Sequence, residues 1–194
     1  MRSAYPRTLL QLISARSPDL RRQVANGHLD AGVVMAPADR PADDSELLGI
    51  EQVVVVAGCD LPVPDHGCIA DLAGHPWVIN PDGCGFRAQL DRALAATGHA
   101  LEVAAESWGT ALQLALVARG AGLGLVPERL IAESSHASAL RRLHVEDFRP
   151  ALGVLLIRGN VPADLGAALD VIAATVRRLL GGDALTRSPE RSLP

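Results

Sequence analysis

Apolar and polar positions change their period along the chain, and the changes mark out its elements. Residues 7–14 hold a short aliphatic run that predicts a strand. Ser17-Pro18-Asp19 then has the makings of a helix start: a capping hydroxyl, a proline suited to the first turn and an acid matched to the dipole. Leu20 and Val24 follow at spacing four, and Asn26-Gly27 offers a stop. Leu29 to Met35 (LDAGVVM) predicts the next strand, and residues 36–46, with two Pro and three Asp, predict a polar loop. Val53 to Val56 is a run of four β-branched residues, which suits a strand buried on both faces, as in a parallel sheet.

Trp77 to Ile79 predicts a short strand running into Asn80-Pro81-Asp82-Gly83-Cys84-Gly85. A helix is expected from there to Thr97, with Phe86, Leu90 and Leu94 at period four. Leu101 to Glu106 predicts a strand, residues 107–119 a helix capped by Ser107, and residues 120–127 a tight turn into another strand. A small helix at 128–133 and strands at 140–145 and 152–158 follow. The closing helix, 163–180, carries Leu165, Leu169, Ile172, Val176 and Leu179 at the 3.6-residue period. Residues 183–194 read as a disordered tail.

Strands alternating with helices across short connections predict an α/β fold with mostly parallel sheets. In open sheets of this class, ligands sit beyond the carboxyl ends of strands. Three places meet that rule: Ser14 to Ser17, Asn80 to Gly85 and Ser107 to Thr110. Ser107 and Thr110 would lie among free N–H groups at a helix start, which favours a carboxylate; a plain capping role accounts for Ser107 equally well. Gly83 and Gly85 permit either close backbone approach to a ligand or a turn with positive φ. Asp82 pointing inward would disfavour an anion, and Arg87 in the first turn would favour one. Ser17 reads first as a cap ahead of Pro18, while the Arg16 guanidinium suits a carboxylate.

Composition narrows the chemistry. The 194 residues, 20.3 kDa, suffice for one core or two small lobes, and with 3% aromatics that core must be aliphatic. All 18 basic residues are Arg, so Schiff-base, pyridoxal-phosphate and P-loop lysines are excluded. A net charge of −4 makes the chain a poor polyelectrolyte partner for nucleic acid. Cys59, Cys68 and Cys84 form no C-x-x-C pair, which points to a reducing compartment, the cytoplasm. Cys84, near a helix start, reads as a packing residue or as an oxidant-sensitive thiol. The apolar run Leu9 to Ile13 is too short for a signal-peptide core, and no segment reaches the ~20 apolar residues of a membrane span. The six histidines show no metal-ligand spacing, so no metal or cofactor is expected. Gly120-x-Gly122-x-Gly124 leads into a strand and is no dinucleotide fingerprint. No G-x-S-x-G occurs, and no paired acid and base is evident, so the chain is not expected to be an enzyme.

Tyr5 to Val34 reads YPxxLLQLxxxxSxxLxxxVxxGxLDxGVV, and Ile50 to Pro62 reads IEQVVVVAGCDLP. Ile69-Ala70-Asp71-Leu72, Trp77-Val78-Ile79 and LVARGAGLGLVP (Leu116 to Pro127) follow in order. Together, over residues 5–180, these resemble the effector-binding domain of LysR-type transcriptional regulators. The resemblance implies a two-lobed α/β fold like that of type 2 periplasmic binding proteins, with a small molecule in the interlobe cleft. Lobe one would be residues 1–57 plus 153–182, and lobe two residues 58–152. Lobe one would be truncated: the family's winged helix-turn-helix, its linker helix and the effector domain's first strand and helix have no counterpart here. DNA would be reached only through that missing N-terminal domain. No membrane partner is implied, and a homodimer or a heterodimer with a full-length regulator are the candidate assemblies. The implied effector-binding residues are Ser14, Arg16, Ser17, Asp82, Gly83, Cys84, Ser107, Trp108 and Thr110. The function expected is sensing of a small, acidic metabolite. The alternatives are a stand-alone small-molecule-binding or interaction protein without DNA binding, and an enzyme on the same two-lobed fold.

Overall fold

The structure, a computed structural model, describes residues 9–37 and 45–181. The chain divides into two compact units, Met1–Ile50 with Gly153–Pro194, and Glu51–Leu152. It crosses from the first to the second within strand β2 (Ser45–Gly58) and returns within a later strand, β8 (Ala151–Arg158).

The first unit holds α1 (Ser17–Ala25), β1 (Ala31–Pro37), the start of β2, most of β8 and α5 (Ala163–Leu179), with strand order β1-β8-β2. Successive side chains of a strand point to opposite faces, and β8 uses both. Leu155 and Ile157 pack with Val34 and with Val24 of α1, while Val154 and Leu156 pack with Leu48 and with Ala173 of α5. One helix therefore covers each face of this sheet. Across its surface, Glu46 joins Arg158 (2.8 Å) and Arg177, and Arg158 also joins Asp170 (2.7 Å). Those contacts, the Arg158 hydrogen bond foremost, hold the Glu46 carboxyl below the usual glutamate range against the opposing effect of burial.

Two sequence expectations for this unit are corrected. Of the strand expected at 7–14, the described residues 9–14 form none, and Leu9 and Leu12 are 87% and 82% exposed. A strand needs a partner for its backbone groups, and no described strand pairs with this segment; it borders an apolar groove beside Leu165, Leu169 and Ile172. Ser17 is the first helical residue rather than the cap: Arg16 occupies the cap position, and the Ser17 Oγ accepts the Met35 N–H at 3.0 Å. The hydroxyl thus pins α1 to β1. The expected tail, 183–194, and most of the 36–46 loop lie outside the described residues.

The second unit holds the rest of β2, β3 (His66–Gly67), β4 (Trp77–Ile79), α2 (Gly85–Ala96), β5 (Val103–Glu106), α3 (Thr110–Val117), β6 (Leu123–Pro127), α4 (Arg129–Ala132) and β7 (Leu140–Val145). Its strand order is β2-β6-β4-β5, with β7 on β2 and β3 on β7. β4 runs parallel to both β5 and β6, and β3 parallel to β7, whereas β2 is antiparallel to β6 and β7. The sheet is therefore mixed. The valine run of β2 is buried on both faces as its composition requires, though both of its partners here are antiparallel. Val53 and Val55 face Phe86, Leu90 and Leu94 of α2; Val54 and Val56 face Leu114 and Val117 of α3.

Candidate functional site

The parallel strands β4 and β5 end side by side, with Ile79 opposite Glu106. Each then turns into a helix, β4 through residues 80–84 into α2 and β5 through 107–109 into α3. The two turns are tied together. The Ser107 N–H donates to the Ile79 carbonyl (2.9 Å), and the Asn80 Nδ2 donates to the Ser107 carbonyl (3.3 Å). Behind them lies Gln113, fully buried on α3, with its Nε2 3.5 Å from both the Val78 carbonyl and the Asn80 Oδ1.

Both helices start without a side-chain cap. Gly109 and Cys84 hold the cap positions, and neither accepts a first-turn N–H through its side chain. Ser107, expected as a cap, lies two residues before the cap position. It is buried, and its Oγ accepts the Gly109 N–H at 3.1 Å, closing the turn before the helix. The first N–H groups of each helix have no acceptor within the helix. On α3 these belong to Thr110, Ala111 and Leu112. On α2 they belong to Gly85, Phe86 and Arg87, Ala88 being the first to find a carbonyl, that of Cys84. Two adjacent helix starts thus present donors and positive dipole ends on one edge of the sheet, an arrangement suited to an anion.

The side chains around this edge have distinct roles. Arg87 is only 15% exposed and is ringed by acids: an ion pair with Glu106, Asp82 at 3.1 Å and Asp91 at 3.9 Å. Its Nε is buried and out of line for a hydrogen bond to Asp82. The Glu106 hydrogen bond leads the effects that raise the Arg87 pKa, outweighing burial. One guanidinium against three carboxylates leaves no free positive charge, so Arg87 is not the anion receptor its place in the first turn suggested. Asp82 is 91% exposed, and the turn passes through Gly83 at φ +87°. Cys84 packs its partly buried side chain against the cluster around Phe86. Trp108 is 57% exposed, and Thr110 is half-buried.

Of the residues singled out in the sequence, Asp82, Gly83, Cys84, Ser107, Trp108 and Thr110 therefore share this edge of the second unit. Ser14, Arg16 and Ser17 belong to the first. There Ser14 is exposed, Ser17 is engaged by Met35, and Arg16 pairs with Asp19 at 3.0 Å. That Arg16 hydrogen bond is the main reason the Asp19 carboxyl is held below its usual range. Asn80 and Gln113 tie the two turns; the sequence marked Asn80 only as the start of the 80–85 turn, and Gln113 not at all. The one signal for Gln113 was a lone amide inside the apolar helical stretch ALQLALV. No helix among the described residues is long and apolar enough to cross a membrane.

Comparison with known proteins adds to this geometry. The chain is 30% identical over 180 residues to the phosphonates import ATP-binding protein PhnC of Anaeromyxobacter dehalogenans (strain 2CP-C), over 89% of this chain. It spans only 36% of that protein's length. Without a lysine, the chain holds no P-loop of its own. The regulatory domain of Synechocystis PCC6803 CcmR, solved in complex with 2-PG, matches with a TM-score of 0.74 at 16% identity, over 90% of this chain and 86% of that one. The effector binding domain of QuiR, solved with shikimate, matches with a TM-score of 0.59 at 16% identity, over 76% of this chain and 71% of that one. At such identities the two structures speak for the fold. The model of the LysR substrate binding domain matches residues 1–173, almost the whole of the described chain, and this protein belongs to that family.

Proposed function

We propose that this chain is the ligand-sensing part of a LysR-type transcriptional regulator, acting in the cytoplasm, and that it binds a small, acidic metabolite at the paired starts of α2 and α3. The observation that carries this reading is the juxtaposition of two uncapped helix starts, held together by the Asn80–Ser107 hydrogen bond. The ligand's carboxylate is received by backbone N–H groups, with the Thr110 hydroxyl beside them. Arg87, satisfied by Glu106, Asp82 and Asp91, holds the turns in place. Those acids favour a ligand with one compact anionic group, because a second negative charge would meet Asp82 or Glu106. The small-molecule ligands of the CcmR and QuiR domains support the same class of function. Binding would shift the populations of two assembly states of the regulator, with a second copy or a full-length regulator as partner.

The test is a panel of small carboxylates, with neutral and amine analogues as controls, scored by thermal unfolding. Trp108 fluorescence gives a second signal, since the chain's other tryptophan, Trp77, is buried at 1% exposure. A ligand at 100 times its Kd stabilises the fold by about 2.7 kcal/mol, which raises Tm by roughly 5–10 °C in a chain of this size. Thr110→Glu, which puts a like charge at the site, should abolish the shift. No stabilisation by any acid, an equal shift in Thr110→Glu, or turnover of the bound acid would overturn the proposal.

A further inference from the structure

We infer that His66 and His144 form a two-histidine site for a divalent transition-metal ion, zinc by the fit of its coordination. The pair lies away from the helix starts described above, on the short ladder between β3 and β7. His66 stands directly opposite His144 in the parallel register, and Gly67 opposite Val145. The main chain holds this register from both ends, through the His144 N–H to the Asp65 carbonyl (2.7 Å) and the Glu146 N–H to the Gly67 carbonyl (2.9 Å). Arg141 also clamps the Asp65 side chain and the Leu61 and Val63 carbonyls. The backbone thus brings the two imidazoles to one face, with ring centroids 5.4 Å apart and planes tilted by 48°.

That separation lets one metal ion reach both rings. A Zn–N bond of about 2.0–2.1 Å puts each imidazole centroid about 3.2 Å from the metal, so two imidazoles at a tetrahedral angle have centroids about 5.2 Å apart. At a square angle the separation would be about 4.5 Å. The observed centroid separation of 5.4 Å lies nearer the tetrahedral value. Imidazole suits zinc as it does copper, iron and nickel, and zinc is the one of these that favours four tetrahedral ligands. Among the described residues no cluster of three or more His, Cys, Asp or Glu gathers around one point. Water would therefore complete the shell, and the site would be exchangeable rather than a permanent structural centre. Its occupation would staple β3 to β7 and leave open coordination positions for an exogenous ligand.

Titration of the metal-free chain with Zn2+ alone, followed by calorimetry and by the histidine ring signals in NMR, tests the site. One equivalent should bind, shifting the ring signals of His66 and His144 and of no other histidine. His66→Gln, at an exposed position that leaves the core untouched, should weaken binding by roughly tenfold or more. His144→Gln should do the same. Wild-type affinity in both variants, or Zn2+ binding that leaves both ring signals unmoved, would overturn the inference and assign the metal to other side chains such as Cys59 or Cys68.

Discussion

Gly122→Ala probes the join between the two parallel strands β4 and β6, of which β4 also carries the candidate site. Gly122 has φ +148°, and a Cβ built there meets the Pro76 carbonyl oxygen at 2.3 Å and its carbon at 2.8 Å. An ordinary carbon–oxygen contact is about 3.3 Å, so one of the two strands must retreat by about 1 Å. Neither atom belongs to a side chain that can swing away. The backbone conformation itself costs a non-glycine residue about 1–3 kcal/mol. The forced displacement of packed backbone costs about 1–3 kcal/mol more. The same Pro76 carbonyl accepts the Leu123 N–H at 2.8 Å, and loss of that hydrogen bond adds about 0.5–1.5 kcal/mol. The expected destabilisation is roughly 3–7 kcal/mol, a large part of the ~5–15 kcal/mol that stabilises a typical domain. Urea unfolding followed by circular dichroism measures it, and thermal unfolding should show a drop of at least about 6 °C. Gly166→Ala is the matched control. Gly166 lies inside α5 with nothing within 4 Å of a built Cβ, so alanine there should stabilise by about 0.5–1 kcal/mol. A Gly122→Ala protein within about 1 kcal/mol of the wild type would refute the reasoning.

Two further substitutions address the charged groups. Glu46→Gln should lower stability at neutral pH by less than about 1 kcal/mol, because its arginine partners are partly solvated. The sign of its pH dependence follows from a folded-state pKa below the unfolded one. The contribution is fully present above the ordinary glutamate value of about 4.3 and is lost as pH falls through the depressed folded value. Unfolding curves of wild type and variant should therefore converge in acid and stay apart at neutral pH; a constant gap would contradict the assignment. Arg87→Gln leaves Asp82, Asp91 and Glu106 facing one another and should cost about 1–2 kcal/mol. High salt should shrink that deficit by screening the repulsion, and urea titrations at low and high ionic strength would show whether it does. The same variant should bind an acidic ligand more weakly.

Some of this protein is written in short-range pattern. The spacing of Phe86, Leu90 and Leu94 and of Leu165, Leu169 and Ile172 defines α2 and α5, because a helix places residues three or four apart on one face whatever else the chain does. Trp77 to Ile79 reads correctly as a strand, and the absence of lysine excludes whole reaction classes without any structure. The strand-to-helix turns at 80–85 and 107–110 were also legible, since turn chemistry is local. Other features depend on what lies across space. The aliphatic run at 9–13 looks like a strand and forms none, because no described strand pairs with it. The hydroxyls of Ser17 and Ser107 bond to Met35 and Gly109 instead of capping the helices they precede. The valine run of β2 fixed burial on both faces but not the direction of its neighbours. Arg87 looked like an anion receptor until β5 brought Glu106 beside it. Asn80, Ser107 and Gln113 form one network only because β4 and β5 are adjacent and in register. His66 meets His144 for the same kind of reason. Periodicity and composition act between near neighbours in the chain and so survive in the sequence. Partner choice and strand register are decided by the packing of distant segments, and only the folded chain brings those together.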